Sequence, residues 1–556
     1  MDWETSLPDW ESRIVDGRSM VPLRPLFPEV AADAMDVFGA LRMVDADGSP
    51  LMGEACLPWV NELVAALFGS YDPERKRRLI TNYFLMVSKK NGKSMIAAGV
   101  MLTALILNTR ASGEFIILAP TKEAADNAYK PIRDMIKADS ELEDRFQEQQ
   151  HIKTVTDRLN GATLKVVAAD SATVTGKKAI GVFIDELHEF GKSSKAASML
   201  TEATGGITSR PEGFVFYCTT QSSEPPAGVF LDKLRYARKV RDGEVTDRRF
   251  LPVIYEFPDH MIEAKAYENL DNAYITNPNW NVSVDAEVIA QKIQEAAESG
   301  EHALLDVRAK HLNIEIGMNL RSDRWAGADW WEQQGVLDRT FSLSDLIEQS
   351  EVVTMGGDGG GLDDLLGQYA IGRCKKTRRW LGWAHAWAHP SVLERRKEIA
   401  ARLQDFARDG HLTLVQHIGQ DIDQFAANVA MVHEAGVLDK LGLDPQGIGA
   451  ILDALEMNGV PADKIVGITQ GWKLTSPIKT AERKLAEGIL VHGGQPLMAW
   501  CVSNAKIVAS ANAVLITKQA SGTGKIDPLM AMLNAVSLMA LNPVGEVVPE
   551  IHVLDF

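Results

Sequence analysis

The sequence predicts an α/β protein with two domains in series, and three observations carry that reading. An apolar strand runs into a polar loop that ends Gly92-Lys93-Ser94 and opens a helix. A later apolar run ends in Asp185-Glu186. Beyond a charged stretch without strand signals, a fresh set of strand patterns starts near residue 351.

The order strand (83–87), short loop, helix (95–108) is the one a phosphate-binding loop requires. Gly92 lets the backbone close on a phosphate, and the amides around Lys90, Asn91 and Gly92 point at its oxygens. Lys93 neutralises charge, and Ser94 offers a hydroxyl to Mg²⁺, so the stretch reads as an ATP site. Val87 stands where the first glycine of the usual pattern falls, so the loop alone is a weak signal. The strand that delivers Asp185 and then Glu186 strengthens it. The first carboxylate is placed to hold Mg²⁺ and the second to polarise an attacking water.

With 556 residues the chain exceeds one core, and 46% hydrophobic with 24% charged residues is ordinary for a globular protein. The uncharged stretches 94–109 and 528–545 contain Asn, Ser or Gly and read as buried helices, not membrane spans. The acidic opening of the chain lacks the pattern of a signal peptide. Four scattered cysteines suit a reducing compartment and give no zinc or disulfide frame. A net charge of −17 excludes a protein that coats nucleic acid over its whole surface, though local basic strips exist at 75–78, 375–379 and 395–397.

In chain order, residues 1–50 read as an arm that packs on or reaches to a neighbour. Residues 51–255 form the ATPase domain, with a helix from Leu57 to Gly69, a strand at 114–121 ending in Thr121, and helical sequence to about residue 150. Strands follow at 163–169 and 179–184, and the run 213–221 is read as the last, delivering Thr219, Thr220 and Gln221 to the ligand edge. Residues 256–345 form a helical lid or linker broken at Asn277-Pro278-Asn279. Residues 346–545 form a second α/β domain, followed by a tail at 546–556. Its expected elements are a strand reaching Asp358, a hairpin of 368–373 with 380–387, a strand at 412–418, Asp444 after a short apolar element, and Asp527-Pro528 opening a helix with Asp527 as cap. His385 and His389 share a face but make a poor metal site, and His492 reads as packing.

These residues resemble the large terminase subunit of tailed double-stranded DNA phages, in the branch typified by HK97. The resemblance rests on Leu57-Pro58-Trp59, the run 88–94, Ala119-Pro120-Thr121, Asp185 to His188, Asn277 to Asn279, the Asp358 turn, Asp444-Pro445, the run 492–496, Asn504 and Lys525 to Asp527. It implies a RecA/ASCE-like P-loop ATPase joined to an RNase H-like nuclease, using ATP with Mg²⁺ and a two-metal Mg²⁺ or Mn²⁺ site. On that resemblance Trp59 contacts the nucleotide, Asp358, Asp444 and Asp527 bind the nuclease metals with Asp363 or Asp364 assisting, the spacing favouring Asp364, and Thr219 to Gln221 couple hydrolysis to motion. Val60 and the three glycines after Asp358 depart from the family pattern. Implied partners are double-stranded DNA, the small terminase subunit and the procapsid portal. The resemblance also implies a ring of five copies during packaging, built from a chain that is monomeric in solution, and action in the host cytoplasm, not at a membrane or in the mature virion. A helicase-like translocase without nuclease activity is the alternative. A neighbour's cation would complete the ATP site, with Lys178, Arg210 and Arg235 as candidates.

Overall fold

The computed structural model describes residues 2–169, 179–193, 195–316, 325–445, 448–510, 513–518 and 524–545. The chain divides into two compact units, one up to Ile316 and one from Gly317 onward. That boundary falls within the stretch read from sequence as a single lid. Lys178 and the tail 546–556 lie outside the described residues.

Among the described residues the first unit has ten strands: β1 (Tyr71–Asp72), β2 (Arg77–Arg78), β3 (Asn82–Met86), β4 (Glu114–Ala119), β5 (Phe146–Gln149), β6 (Thr154–Asp157), β7 (Thr163–Ala168), β8 (Ala179–Ile184), β9 (Phe214–Thr219) and β10 (Phe250–Ile254). Its main sheet runs β10-β3-β9-β8-β4-β7-β6-β5. The strands from β10 to β7 are parallel, and β6 and β5 are antiparallel additions. β8 and β9 are buried along their whole length, which is why their sequences are continuous apolar runs with no alternation.

Two expectations change here. The run 213–221 is not the last strand, because Phe250–Ile254 joins the sheet edge beside β3 despite Pro252. The helical reading to residue 150 fails at Phe146, where the β5–β6 hairpin begins, and only its β-branched second half carried a strand signal.

Residues 2–50 fold onto their own unit. The Leu7 amide donates to Arg241 O at 2.6 Å, the Thr5 hydroxyl donates to Asp247 O at 2.7 Å, and the Arg241 guanidinium lies 3.8 Å from the Trp10 ring centre.

The second unit is a mixed sheet of β11 (Ser350–Gly359), β12 (Leu365–Cys374), β13 (Trp380–Ala388), β14 (Leu412–Leu414), β15 (Leu438–Leu443), β16 (Ile465–Gly467) and β17 (Leu490–His492), with β18 (Ala505–Ser510) and β19 (Ala513–Lys518) as a separate hairpin. β11, β12 and β13 are antiparallel, and β15 and β16 continue the sheet in parallel from β11. The strand expected over 412–418 covers only its first three residues. The helix Asp527–Met539 lies on β11 and β12 over a floor of glycine. A Cβ at Gly356 would stand 2.0 Å from Ala531 O, and one at Gly367 2.6 Å from Pro528 N. Among the described residues no helix is long and apolar enough to cross a membrane.

Candidate active sites

In the first unit the phosphate loop leaves the end of β3. Lys90 (φ +73°) and Gly92 (φ +81°) are both left-handed, which turns the backbone into an anion-binding concavity. The helix Lys93–Ile106 starts there, and Ser94 at its first turn is exposed. The Lys93 ammonium is nearly buried, 3.4 Å from Val87 O and 3.9 Å from Glu186 Oε1. β8 ends beside it, with the Asp185 amide donating to Leu118 O at 2.9 Å. Asp185 Oδ1 is buried without a hydrogen-bond partner. Burial, then the neighbouring Glu186, push the Asp185 carboxyl above the usual range, and Lys93 pulls the other way. A buried carboxylate oxygen lacking a donor, an exposed Ser94 hydroxyl and an ammonium between them fit Mg²⁺ with a nucleotide phosphate.

The side chains of Asn91 and Trp59 are tied to the Asn277-Pro278-Asn279 turn. Asn91 is fully buried; its amide group donates to Ser88 O and to Asn277 Oδ1 at 2.9 Å, and its carbonyl accepts from the Asn279 amide at 3.0 Å. Trp59 Nε1 donates to Asn279 Oδ1 at 2.7 Å. The Asn277-Pro278-Asn279 turn therefore clamps the phosphate loop, and Ser283 fastens it again by donating to Lys90 O. Thr121 caps the next helix, accepting from the Ala124 amide at 3.1 Å.

Thr219, Thr220 and Gln221 are fully buried between two groups that the sequence reading did not use as a pair. On one side is His188, which contacts Glu186 Oε2 at 3.3 Å and Glu189 at 3.2 Å. On the other is Asn313, which accepts from the Gln221 amide at 3.1 Å and donates to Tyr255 O. Glu315 follows, 3.5 Å from Gln221 Nε2 and paired with Arg238 at 2.8 Å. Arg238 and Arg241 also hold Glu256. Burial alone would raise that carboxyl, but the two guanidiniums outweigh it and keep it near 2. Asn313, with φ +48° at a helix end, had no signal in sequence beyond its residue type.

In the second unit Asp358 lies near the end of β11, opposite Gly367. Gly357 pairs with Leu443, so Asp444 leaves the end of β15 beside Asp358. Asp527 is the first residue of its helix, with Ile526 at the cap position, so the capping role expected for it falls one residue earlier. Its Oδ1 stands 3.1 Å from where a Cβ on Gly359 would be. Gly359 has φ +85° and Gly360 φ +108°, so the glycines after Asp358 supply a turn that side chains would obstruct. The buried Lys525 ammonium pairs with Asp364 and donates to Asp363 O at 3.1 Å. The three aspartates thus share one sheet edge. Among the described residues no three His, Cys, Asp or Glu are gathered closely enough to hold an ion as they stand. The donor set, all carboxylate oxygen, fits a hard divalent cation, and the glycine turn keeps room for it.

His492 lies apart from these acids. It stacks on Trp331 with ring centres 3.9 Å apart, and Nδ1 accepts from the Gly494 amide while Nε2 donates to Trp331 O. His385 shares a hydrogen bond with Thr413, and His389 with Ser391.

A parallel-sheet phosphate-loop unit followed by a mixed sheet with an acidic edge defines an ATPase joined to a nuclease. Comparison with known proteins gives the family. Residues 58–237 match the model of the terminase large subunit ATPase domain, and residues 244–542 match the terminase large subunit endonuclease domain. The chain belongs to the terminase large subunits. It is 22% identical over 483 residues to the terminase large subunit of Lactococcus phage p2, covering 83% of this chain and 82% of that protein. It is 21% identical over 472 residues to the terminase large subunit of Enterobacteria phage HK97, covering 81% and 85%. The crystal structure of the HK97 bacteriophage large terminase aligns over 91% of this chain and 99% of that one, at 18% identity and a TM-score of 0.48. The protein is therefore a DNA-packaging ATPase and endonuclease. The endonuclease match disfavours a translocase without a nuclease.

Proposed function

We propose that Lys90 to Ser94 cradle the phosphates of ATP, that Ser94 and Asp185 hold Mg²⁺, and that Glu186 takes the proton of the attacking water. The observation that supports it best is the buried, partnerless Asp185 Oδ1 in a site where Lys93 reaches Glu186. When bound, Mg²⁺ neutralises the phosphate oxygens as the bond breaks. Thr219, Thr220 and Gln221 carry the change onward, since they link His188 beside Glu186 to Asn313 and Glu315. Asn91 and Trp59 act on the nucleotide indirectly, by fixing the loop's shape.

In the second unit Asp358, Asp444 and Asp527 hold Mg²⁺ or Mn²⁺, which when bound as a pair activate water and stabilise the leaving 3′ oxygen. Asp364, already paired with Lys525, supports the site without being essential. The chain works as a ring, five copies by family resemblance, on the procapsid portal in the host cytoplasm, with the small subunit delivering double-stranded DNA. A neighbour's cation completes each ATP site, and Arg235, exposed on its helix, is a candidate for it.

Lys93→Ala or Glu186→Gln tests the division of labour. Each should abolish ATP hydrolysis and packaging while metal-dependent cutting of plasmid remains measurable. Loss of both activities in a folded variant would count against separate sites.

A further inference from the structure

The ATPase sheet has a second polar concavity, at the end opposite the phosphate loop. β3, β9 and β10 are parallel neighbours, and Asn82 at the start of β3, Val215 and Tyr217 on β9 and Arg249 just before β10 border a cavity of about 900 Å³. A strand of five residues is about 16 Å long, so this cavity and the nucleotide sit at opposite ends of the same strands. Arg75, Arg77, Arg210 and Arg249 line it, together with Thr208 and Ser209.

Three arginines close to the cavity in sequence have partners, and those lining it have fewer. Neighbouring Arg78 is buried against Leu67 O, Ser70 and Glu212 O, Arg110 pairs with Glu212, and Arg248 pairs with Asp2 and Glu4. Among the described residues Arg77, Arg210 and Arg249 make no ion pair, and Arg75 reaches Asp72 only at 3.9 Å. Arg210 Nε is buried with no hydrogen-bond partner. The one acid lining the cavity, Asp247, is already committed to the Tyr236 hydroxyl and the Arg249 amide. In a chain with 75 acidic and 58 basic residues, four guanidiniums facing one lining carboxylate leave a net positive cavity that can take an anion from outside.

We propose that this cavity grips the phosphodiester backbone of the DNA being packaged. Guanidinium forks beside the Thr208 hydroxyl match the tetrahedral oxygens of phosphate, and the arrangement reads no base; the Ser209 hydroxyl donates to Gly206 O. An acidic protein segment would meet the same charges, but the family's DNA-packaging role supplies a phosphodiester polyanion to this unit. The placement also connects grip to fuel. β3 carries the phosphate loop at one end and β9 carries Thr219 to Gln221 at the same end, while both border this cavity at the other.

The test uses the full chain in EDTA, so that no cutting occurs, with a fluorescent 30-base-pair duplex titrated at several salt concentrations. Arg77 and Arg249 are exposed, so R77A/R249A should fold as wild type. It should bind the duplex about tenfold more weakly or worse, with the slope of log K against log salt reduced by about two. R210Q should weaken binding in the same direction, with R210K restoring part of it, and binding of a fluorescent ATP analogue should stay unchanged. Unchanged duplex affinity and slope in R77A/R249A would overturn the proposal. So would displacement of the duplex by micromolar ATP or inorganic phosphate in wild type but not in R210Q, which would make this a small-anion site. Unchanged DNA binding in R210Q combined with loss of concentration-dependent ATP hydrolysis would make Arg210 a cation serving a neighbour's nucleotide, and a shift in self-association alone would assign the cavity to a protein partner.

Discussion

The His188 amide donates to the Thr219 hydroxyl at 3.0 Å, and the His188 ring nitrogen Nδ1 lies 3.2 Å from the same oxygen. A two-point contact of this kind fixes the Thr219 rotamer relative to the turn that carries Glu186, whose own backbone sits at φ +50°. In the proposed coupling, a shift of Glu186 on loss of the γ-phosphate is passed through this contact to β9.

Thr219→Val keeps the shape and removes the hydroxyl. It should lower DNA-stimulated turnover by tenfold or more while leaving the KM for ATP within about twofold, because the phosphate cradle is untouched. His188→Gln should lower turnover in the same way. Equal losses in nucleotide affinity and turnover would instead mark both residues as ordinary packing.

The clamp on the phosphate loop gives a separate expectation. Asn91→Ala removes hydrogen bonds to Ser88, Asn277 and Asn279 in a fully buried place, and leaves Asn277 and Asn279 groups without partners. Such a loss costs about 1–3 kcal/mol. Chemical denaturation should show it, and binding of an ATP analogue should weaken in parallel. A stable Asn91→Ala chain with poor nucleotide binding would favour direct contact between Asn91 and the phosphates.

Much of this was legible in the residues. The phosphate loop, the strand tipped by Asp185 and Glu186, and the β12–β13 hairpin all combine a clear apolar run with a terminal polar or turn signal. What was not legible depends on contacts between distant segments. Asn91 looked like one more loop residue facing phosphate, and only the return of Asn277 to Asn279 turns it inward. Phe250–Ile254 was not read as a strand; its Pro252 is tolerated because β10 is an edge strand beside β3, with one side unpaired among the described residues. Asp527 was assigned a cap because Asp before Pro is a helix-start signal, and sequence cannot show that the helix already begins at that Asp.

The buried histidines of the second unit set a pH expectation. Burial holds the His492 ring near 4, against an ordinary value of 6.5, and burial together with His411 holds His385 near 4 as well. Both folded values lie below the unfolded one, so between pH 6.5 and 4 the unfolded chain binds more protons. Their stabilisation is complete above pH 6.5 and is lost as pH falls towards 4, on the order of 3 kcal/mol for each ring. Denaturation of the full chain followed by Trp fluorescence at pH 7 and pH 5 should show the loss, and His492→Gln should have a smaller pH dependence than wild type. An identical dependence in that variant would mean that His492 titrates normally.

The nuclease edge gives the sharpest expectation. Carboxylates from β11, the end of β15 and the start of the last helix repel one another when brought together, so the edge is costly unless cations occupy it. Asp358→Asn, Asp444→Asn and Asp527→Asn each keep size and remove one charge. Each should abolish plasmid cutting and weaken Mn²⁺ binding measured by calorimetry, while ATP hydrolysis stays near wild type. Asp364→Asn should do less, since the charge it carries is met by Lys525. Gly359→Ala makes a complementary test without changing any charge. Its Cβ would stand 2.2 Å from Leu365 O and 3.1 Å from Asp527 Oδ1, on a backbone at φ +85°. Cutting should fall by at least tenfold as the turn and Asp527 are displaced. If Asp527→Asn cuts plasmid at the normal rate, Asp527 serves only to start its helix, and the metal site must be built from other acids.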